Sequence, residues 1–154
     1  MDRRQRIVRV ALVVLALAGF LISFYLTITH YRHLVPPCYV TSGCESVLTS
    51  RYATILGVPL SLIGTVFFVV MFYLGIALIT GPPKKVMRAY ELLAFAGVLA
   101  AVVLFLLQAV VLKAYCSYCL GTEVIALSIW AGSLVVASSG DGGAIDEAGS
   151  PPQQ

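Results

Sequence analysis

Long apolar runs limit most strongly how this chain can fold. Three are plain, Ile7 to Ile28, Val58 to Thr80 and Leu92 to Leu112, and each approaches or exceeds the roughly 20 residues needed to span a hydrocarbon core of about 30 Å. A fourth run, Cys116 to Ala137, is interrupted by several polar or small residues, but its second half is almost wholly apolar. The pattern predicts four membrane-spanning segments.

Composition supports the same class of protein. Backbone groups in a hydrocarbon core must be satisfied within their own segment, so the four segments are predicted to be helices. The chain is 60% apolar and 11% charged, against about a quarter charged in soluble domains. Its ten Lys and Arg residues are scattered, without a basic face that would bind nucleic acid. We therefore predict an all-α membrane protein, a four-transmembrane-helix bundle formed by residues 1–137.

The first apolar run has a competing interpretation. Arginines followed by an apolar stretch also describe a secretory signal peptide, and Ala16-Leu17-Ala18 resembles a cleavage site. The apolar run nevertheless continues well past that site, to Leu26. An uncleaved first helix is the preferred interpretation.

Positive charges predict the orientation, because Lys and Arg concentrate on the cytoplasmic side of membrane proteins. With the N-terminus inside, seven of the ten Lys and Arg residues are cytoplasmic and three are outside. His30 to Leu56 then forms an external loop, and both chain ends are cytoplasmic. The tail from Ser138 to Gln154 contains three acids, a Pro-Pro pair and few apolar residues, which predicts disorder.

All four cysteines fall on the predicted external side: Cys38, Cys44, Cys116 and Cys119. The orientation was inferred from charges and not from cysteines, so the two features agree independently. In an oxidising compartment cysteines form disulfides, whereas in the cytosol they stay reduced or bind metal. The sequence therefore predicts thiol–disulfide chemistry.

The two cysteine pairs have different settings. Cys116 and Cys119 form a C-x-x-C motif at the first turn of the fourth predicted helix, where free N–H groups and the helix dipole favour a thiolate. The thiolate is the reactive form of cysteine. Cys38 and Cys44 lie in the external loop, after two prolines, where another protein can reach them.

Other roles for the cysteines fit the sequence less well than a redox role. Two structural disulfides are disfavoured, because a C-x-x-C disulfide closes too small a loop to stabilise much. A four-cysteine zinc site would need two ligands on a spanning helix, so no metal is expected. Leu120, in place of His, excludes c-type haem attachment. A non-catalytic scaffold or transporter subunit lacks the charged pairs or broken helices that would support it.

Four features occur in order along the chain: a cysteine pair after the first helix, and the strings CESVLTS from Cys44, GVPLSLIG from Gly57 and CSYCL from Cys116. Together they resemble the bacterial branch of the vitamin K epoxide reductase family, from about Ile7 to Ala137. The disulfide bond protein B family is an alternative, with four helices, two cysteine pairs and a quinone. There the C-x-x-C lies in the first external loop, the reverse of the order seen here.

The resemblance implies a quinone-dependent oxidoreductase of the bacterial inner membrane that reoxidises a thioredoxin-like (DsbA-like) protein, which in turn places disulfides in exported proteins. Cys38 would take electrons from the partner's thiol and pass them through Cys44 to Cys116. Cys119 would face the quinone, of the ubiquinone or menaquinone type. The external loop, as a half-helix, would cap the quinone pocket. Many bacterial relatives carry a fused thioredoxin-like domain for which this chain is too short, so a separate partner is implied.

Three further residues are implied at the quinone site. Ser50 matches a hydroxyl position of the family, although it could equally satisfy loop backbone. Ser61 corresponds to the serine of the family's second helix, but Leu60 replaces the family's preceding asparagine, which argues against animal-type epoxide reduction. Glu123 stands where the animal enzymes have tyrosine. It could help to protonate the reduced quinone, or simply interact with the helix dipole.

Overall fold

The computed structural model describes residues 3–38, 43–81 and 84–141. Within these ranges the α-helices are α1 (Arg3–Tyr31), α2 (Cys44–Leu48), α3 (Leu60–Ile79), α4 (Lys84–Leu106) and α5 (Ser117–Asp141). Between α2 and α3 lie a 3₁₀ turn (Arg51–Ala53) and an antiparallel hairpin of β1 (Thr54–Ile55) and β2 (Val58–Pro59). A π-helical turn (Leu107–Leu112) continues α4.

Four of these segments are long and apolar enough to cross a membrane, which confirms the predicted all-α membrane fold. They are Arg3–Tyr31, Leu60–Ile79, Lys84–Leu112 and Ser117–Ser138. Large apolar side chains on their outer faces are exposed, among them Leu21, Val66, Val103 and Leu127. Such surfaces suit lipid, because lipid tails are as apolar as the side chains themselves.

The helices extend beyond the apolar runs that predicted them, because helical hydrogen bonds continue into polar sequence where hydropathy has already fallen. α4 begins at Lys84, well before Leu92. α5 continues to Asp141, so residues 138–141 of the tail, predicted to be disordered, are helical instead. Ser138 Oγ there donates a hydrogen bond to the Val135 carbonyl at 3.1 Å. Residues 142–154 of the predicted tail lie outside the described ranges.

The predicted second span starts too early in the sequence. Its first two residues, Val58 and Pro59, pair with Ile55 and Thr54 in the short hairpin, and α3 begins at Leu60. Proline has no N–H to donate and its φ is fixed, so it suits a position just before a helix. The hairpin was not predicted from the sequence.

The core lies between the four long helices, away from the cysteines. Leu12 and Ala16 of α1 pack there with buried residues of α3, α4 and α5, among them Phe68, Met71, Tyr90 and Ile129. Ala16 belongs to the segment that resembles a signal-peptide cleavage site, and it is fully buried. α1 is therefore a core helix of this bundle. Arg9 Nη1 also donates to the Leu78 carbonyl at 2.6 Å, which satisfies a carbonyl near the end of α3.

Small residues allow the helices to approach one another. A Cβ at Gly97 of α4 would lie 2.5 Å from the ring of Phe67 on α3. Between α1 and α3, Thr27 Oγ1 and Thr65 Oγ1 share a hydrogen bond of 3.2 Å. Close backbones and interhelical hydroxyl bonds are the usual means by which helices associate in lipid.

Candidate redox site

The chain turns back over one end of the bundle where α1 ends. The Leu34 N–H donates to the Thr29 carbonyl at 2.9 Å and the His33 N–H to that of His30 at 3.1 Å. His33 itself has φ +53°. This is a Schellman ending with His in the position that glycine usually takes. The following residues carry the chain toward Cys38, and Pro36 among them is buried.

Cys38 and Cys44 form a disulfide with their Cα atoms 5.8 Å apart. Cys44 is the first residue of α2 and is 1% exposed. The preceding residue, Gly43, packs directly on the connection between α4 and α5, since a Cβ there would lie 2.6 Å from the Tyr115 backbone nitrogen. The absence of a side chain at Gly43 thus lets α2 sit against the chain just before Cys116.

Cys116 and Cys119 are both free thiols. Cys116 is fully buried and immediately precedes α5, and its Sγ accepts a hydrogen bond from the Cys119 backbone N–H at 3.4 Å. The pKa of Cys116 lies below its usual range, first because the Cys119 thiol donates to it and then because of the N–H groups of Cys119 and Tyr118. Burial opposes this shift, as a charged carboxylate at Glu123 would. The thiolate of the reduced pair is therefore on Cys116.

The fold brings the two pairs together. Cys44, Val47 and Cys116 form one buried cluster, and Cys38 and Cys119 pack against it. Both middle residues of the C-x-x-C also approach the segment that carries Cys38. Ser117 Oγ lies 3.9 Å from Cys38 Sγ, and the Tyr118 hydroxyl donates to the Pro37 carbonyl at 3.1 Å.

A four-cysteine zinc site is not formed in this state, because Cys38 and Cys44 are bonded to each other. Across residues 3–38, 43–81 and 84–141, His, Cys, Asp and Glu side chains form no group of three or more that could hold a metal ion. The geometry brings together two cysteine pairs, of which one is bonded.

A cavity of about 710 Å³ lies beside Cys119 and is lined by residues of α1, α3, α4 and α5 and by residues 47–54, here called the closing segment. This closing segment contains the end of α2 and the 3₁₀ turn, in the place expected for a capping half-helix. Cys119, unlike Cys116, lines the cavity, together with Ser50, Ser61 and Glu123. The volume falls within the roughly 300–1,000 Å³ of small-molecule sites.

The two serines present different groups to the cavity. Ser50 Oγ donates to the Val47 carbonyl at 2.8 Å, so toward the cavity it offers only lone pairs while that bond holds. Ser61 is in the first turn of α3, and its side chain makes no hydrogen bond to the described residues. Of the two hydroxyls, that of Ser61 is the one available to donate.

Gln108 belongs to the site, although sequence reasoning missed it. It is 2% exposed in the π-helical turn. Its Nε2 donates to Glu123 Oε1 at 2.8 Å, and its Oε1 accepts from the Cys116 N–H at 2.9 Å. A single polar residue inside the apolar run Leu92 to Leu112 is the signal that could have identified it.

The comparison with known families agrees with this geometry. Residues 10–134 match the Vitamin K epoxide reductase family. The matched stretch covers α3 and α4 entirely and most of α1 and α5, and it includes both cysteine pairs and the lining of the cavity. The chain therefore belongs to the vitamin K epoxide reductase family, whose members are thiol–disulfide oxidoreductases that are generally linked to quinones.

Proposed function

We propose that this protein transfers electrons from a thioredoxin-like (DsbA-like) partner to a membrane quinone, so that the partner can introduce disulfides into exported proteins. The supporting observation is the meeting of the two cysteine pairs at the cavity. Cys44 and Cys116 are buried in one cluster, and Cys119 lines the adjoining cavity. Two purely structural disulfides would not explain why Cys116 and Cys119 are free.

The relay follows from ordinary thiol–disulfide exchange. With both pairs oxidised, a partner thiolate attacks Cys38 Sγ and Cys44 leaves as a thiolate. Cys44 attacks Cys116, and Cys119 leaves with the electron pair. The partner's second thiolate then attacks the partner's sulfur in the mixed disulfide. This step forms the partner's disulfide and releases Cys38 as a thiolate. Finally Cys38 attacks Cys44 and releases Cys116, so both electrons now reside on the pair beside the cavity.

The described state matches the end of this sequence: Cys38 is bonded to Cys44, whereas Cys116 and Cys119 are reduced. The lowered pKa of Cys116 supports this order, because a thiol of lower pKa leaves faster in disulfide exchange. Cys116 is the leaving group of the last exchange. Hydrogen bonds at the start of α5 therefore favour transfer toward the cavity.

The cavity has suitable chemistry for a quinone ring. The surface of its walls is mostly apolar, and its polar groups include Ser61, Glu123 and Cys119. Apolar walls with a few placed polar groups are typical of small-molecule sites. A bound quinone would supply the acceptor for two electrons and two protons. Cys119 would be the sulfur next to it, with the Ser61 hydroxyl available to donate to a quinone oxygen.

One assay tests the whole proposal. Purified protein is mixed with a reduced thioredoxin-like substrate and a water-soluble quinone analogue, and quinone loss is followed by absorbance. We expect quinone loss in step with oxidation of the substrate's thiols. The Cys116→Ala variant is the control and should show neither reaction in repeated turnover. Substrate oxidation by the wild-type chain without quinone loss would contradict the proposal.

The proposed orientation places the cysteine end outside the cytoplasm of a bacterial inner membrane, with both termini inside. Its support is the distribution of Lys and Arg along the chain. After reduction, a membrane-impermeant maleimide added to intact spheroplasts should label Cys38. Labelling only after the membrane is opened would reverse the orientation and leave the relay in the wrong compartment.

A further inference from the structure

Gln108 joins three parts of the site. Its backbone carbonyl accepts hydrogen bonds from the N–H groups of Lys113 and Ala114, which end the helical run of α4. Its side chain accepts from the Cys116 N–H, at the beginning of α5, and donates to the Glu123 carboxyl. Gln108 thus connects the end of one helix, the start of the next and an acid on the cavity wall.

The direction of these bonds is fixed by chemistry. A backbone N–H can only donate, so the Gln108 atom that faces Cys116 must be the amide oxygen. The amide NH₂ therefore faces Glu123, and Glu123 Oε1 must accept. A proton on Glu123 would consequently be carried by Oε2. Because Gln108 is neutral, it does not balance the charge of a carboxylate, whereas a proton on Oε2 would remove that charge.

We propose that Glu123 carries a proton from the Cys116–Cys119 thiol pair to the quinone and that Gln108 is the positioning residue that holds Glu123 for this task. With Cys116 as the thiolate, oxidation of the pair breaks the S–H bond of Cys119 and forms one S–S bond. Two electrons pass to the quinone, which takes up two protons and becomes the quinol. Glu123 gives up the proton on Oε2 as one of them and is reprotonated from the Cys119 thiol, and the second proton comes from water. The inference rests on the proposed function.

The placement of the other titratable groups favours Glu123 for this role. Cys119 and Glu123 are four residues apart on α5, so they share one face of the helix. Glu123 is 6% exposed. Four other titratable residues also line the cavity, but His30 lies in the last turn of α1, His33 just after it, and Arg51 and Tyr52 in the closing segment. From α3, Ser61 contributes a hydroxyl. Glu123 is therefore the acid on the same helix face as the thiol next to the quinone.

Four variants test the proposal. Glu123→Gln removes the proton and keeps the shape, and Gln108→Met keeps the length but removes both hydrogen bonds. The exchange of Gln108→Glu together with Glu123→Gln preserves both bonds, because each oxygen of the new carboxylate then accepts one. Glu91→Gln is the matched control, an acid of α4 that does not line the cavity.

The first readout needs no quinone. Infrared spectra of the purified full chain in lipid nanodiscs at neutral pH should show the carbonyl band of a protonated carboxyl. The band should be absent from Glu123→Gln and retained in Glu91→Gln. It should be shifted in Gln108→Met, because the carbonyl oxygen loses its donor. Absence of a protonated-carboxyl band assignable to Glu123 overturns the proposal.

The second readout is steady-state quinone reduction beside single-turnover oxidation of the thiol partner. Glu123→Gln should lower kcat about 100-fold, in the range of lost general acid catalysis, without changing the single turnover at Cys38. Gln108→Met should lower kcat as well, and adding it to Glu123→Gln should cause no further loss, because the two residues act as one unit. The exchanged variant should recover thermal stability but not kcat.

The outcomes separate this inference from the proposed function. If the wild-type chain reduces quinone and the exchanged variant does so equally well, Gln108 and Glu123 have only a structural role and the inference is wrong. Unchanged kcat in Glu123→Gln leads to the same conclusion. If the wild-type chain does not reduce quinone at all, the proposed function fails, while the infrared bands still decide whether Glu123 is protonated and bound to Gln108.

Discussion

The two cysteine pairs meet in one buried cluster, but the helices that carry them differ in length. Cys38 and Cys44 flank the start of α2, a helix of only five residues in the connection between α1 and α3. Cys116 and Cys119 lie at the start of α5, a helix of 25 residues that packs through the bundle. Short helices have little stability of their own, whereas long packed helices hold their residues in place. The first pair is thus suited to meet a partner and the second to stay beside the cavity.

In each pair, one cysteine is more deeply buried than the other. Cys38 is half-buried and Cys44 is buried, so a partner can reach Cys38 first. Cys116 is buried against Cys44, while Cys119 lines the cavity. In each pair one sulfur is buried in the cluster shared with the other pair, and the other is the one at which we propose that a reaction partner binds. The proposed order of electron transfer therefore follows the difference in burial between the two sulfurs of each pair.

The largest expected effect comes from removing the sulfur next to the cavity. Cys119→Ala should abolish quinone reduction, because the remaining thiol cannot form a disulfide within its pair. Cys38 and Cys44 should still oxidise one equivalent of partner thiol in a single turnover. Cys116→Ala should instead leave a Cys119 thiolate against bound quinone and give a visible charge-transfer band. A band in Cys119→Ala and none in Cys116→Ala would exchange the two roles.

Trapping of the partner as a mixed disulfide tests whether Cys38 is the sulfur that the partner attacks. A partner that retains only its attacking cysteine should form a stable mixed disulfide with Cys38 in the Cys44→Ala variant, because no neighbouring thiol can release it. Non-reducing gels and mass spectrometry of the adduct measure the result. In the Cys38→Ala variant the adduct should be absent. An adduct that survives this change and requires Cys116 would contradict the proposed order.

The contact between the pairs can be disturbed without touching a sulfur. In Gly43→Ala the new Cβ would meet the Tyr115 nitrogen at 2.6 Å, so α2 must move away from Cys116. We expect electron transfer from Cys44 to Cys116 to slow by about tenfold, since displacements near 1 Å weaken reactive alignment. This rate can be measured by rapid mixing and acid quenching, followed by determination of which cysteines are reduced at each time. The matched control is Gly121→Ala, whose Cβ has its nearest neighbour at 4.0 Å. Equal rates in both variants would show that this contact does not matter.

A smaller effect concerns the pH dependence of Cys116. Because its pKa is lowered, its thiolate should persist below the ordinary thiol pKa of about 8.5. The reduced protein is correspondingly stabilised above the unfolded pKa and loses this contribution as the pH falls through the folded value. The rate of alkylation of Cys116 can be followed against pH by mass spectrometry and normalised to its plateau. The pH midpoint of this curve should be lower for Cys116 than for reduced Cys38. Cys119→Ala should raise the midpoint, since the thiol donor is lost. A wild-type midpoint at the ordinary value would refute the assignment of the thiolate.

The elements of the fold followed directly from local sequence, because hydrocarbon thickness fixes the length of a spanning helix. The predicted all-α bundle is confirmed on that basis. The helix ends were less accurate, as at Lys84 and Asp141, because apolarity marks where lipid begins and not where helical hydrogen bonding stops. The hairpin at Val58 and Pro59 was hidden for a related reason, since apolar strand residues look like the start of an apolar helix.

By itself the sequence determined the four spanning helices, the cysteine pairs and the family motifs, because each depends on residues that are close together in the chain. Only the tertiary structure decided which sulfurs meet, because Cys44 and Cys116 are far apart in sequence and become neighbours where Gly43 packs on Tyr115. The same holds for Gln108. Its amide is satisfied by Cys116 and Glu123, and a buried polar group must find its partners in space whatever their separation along the chain.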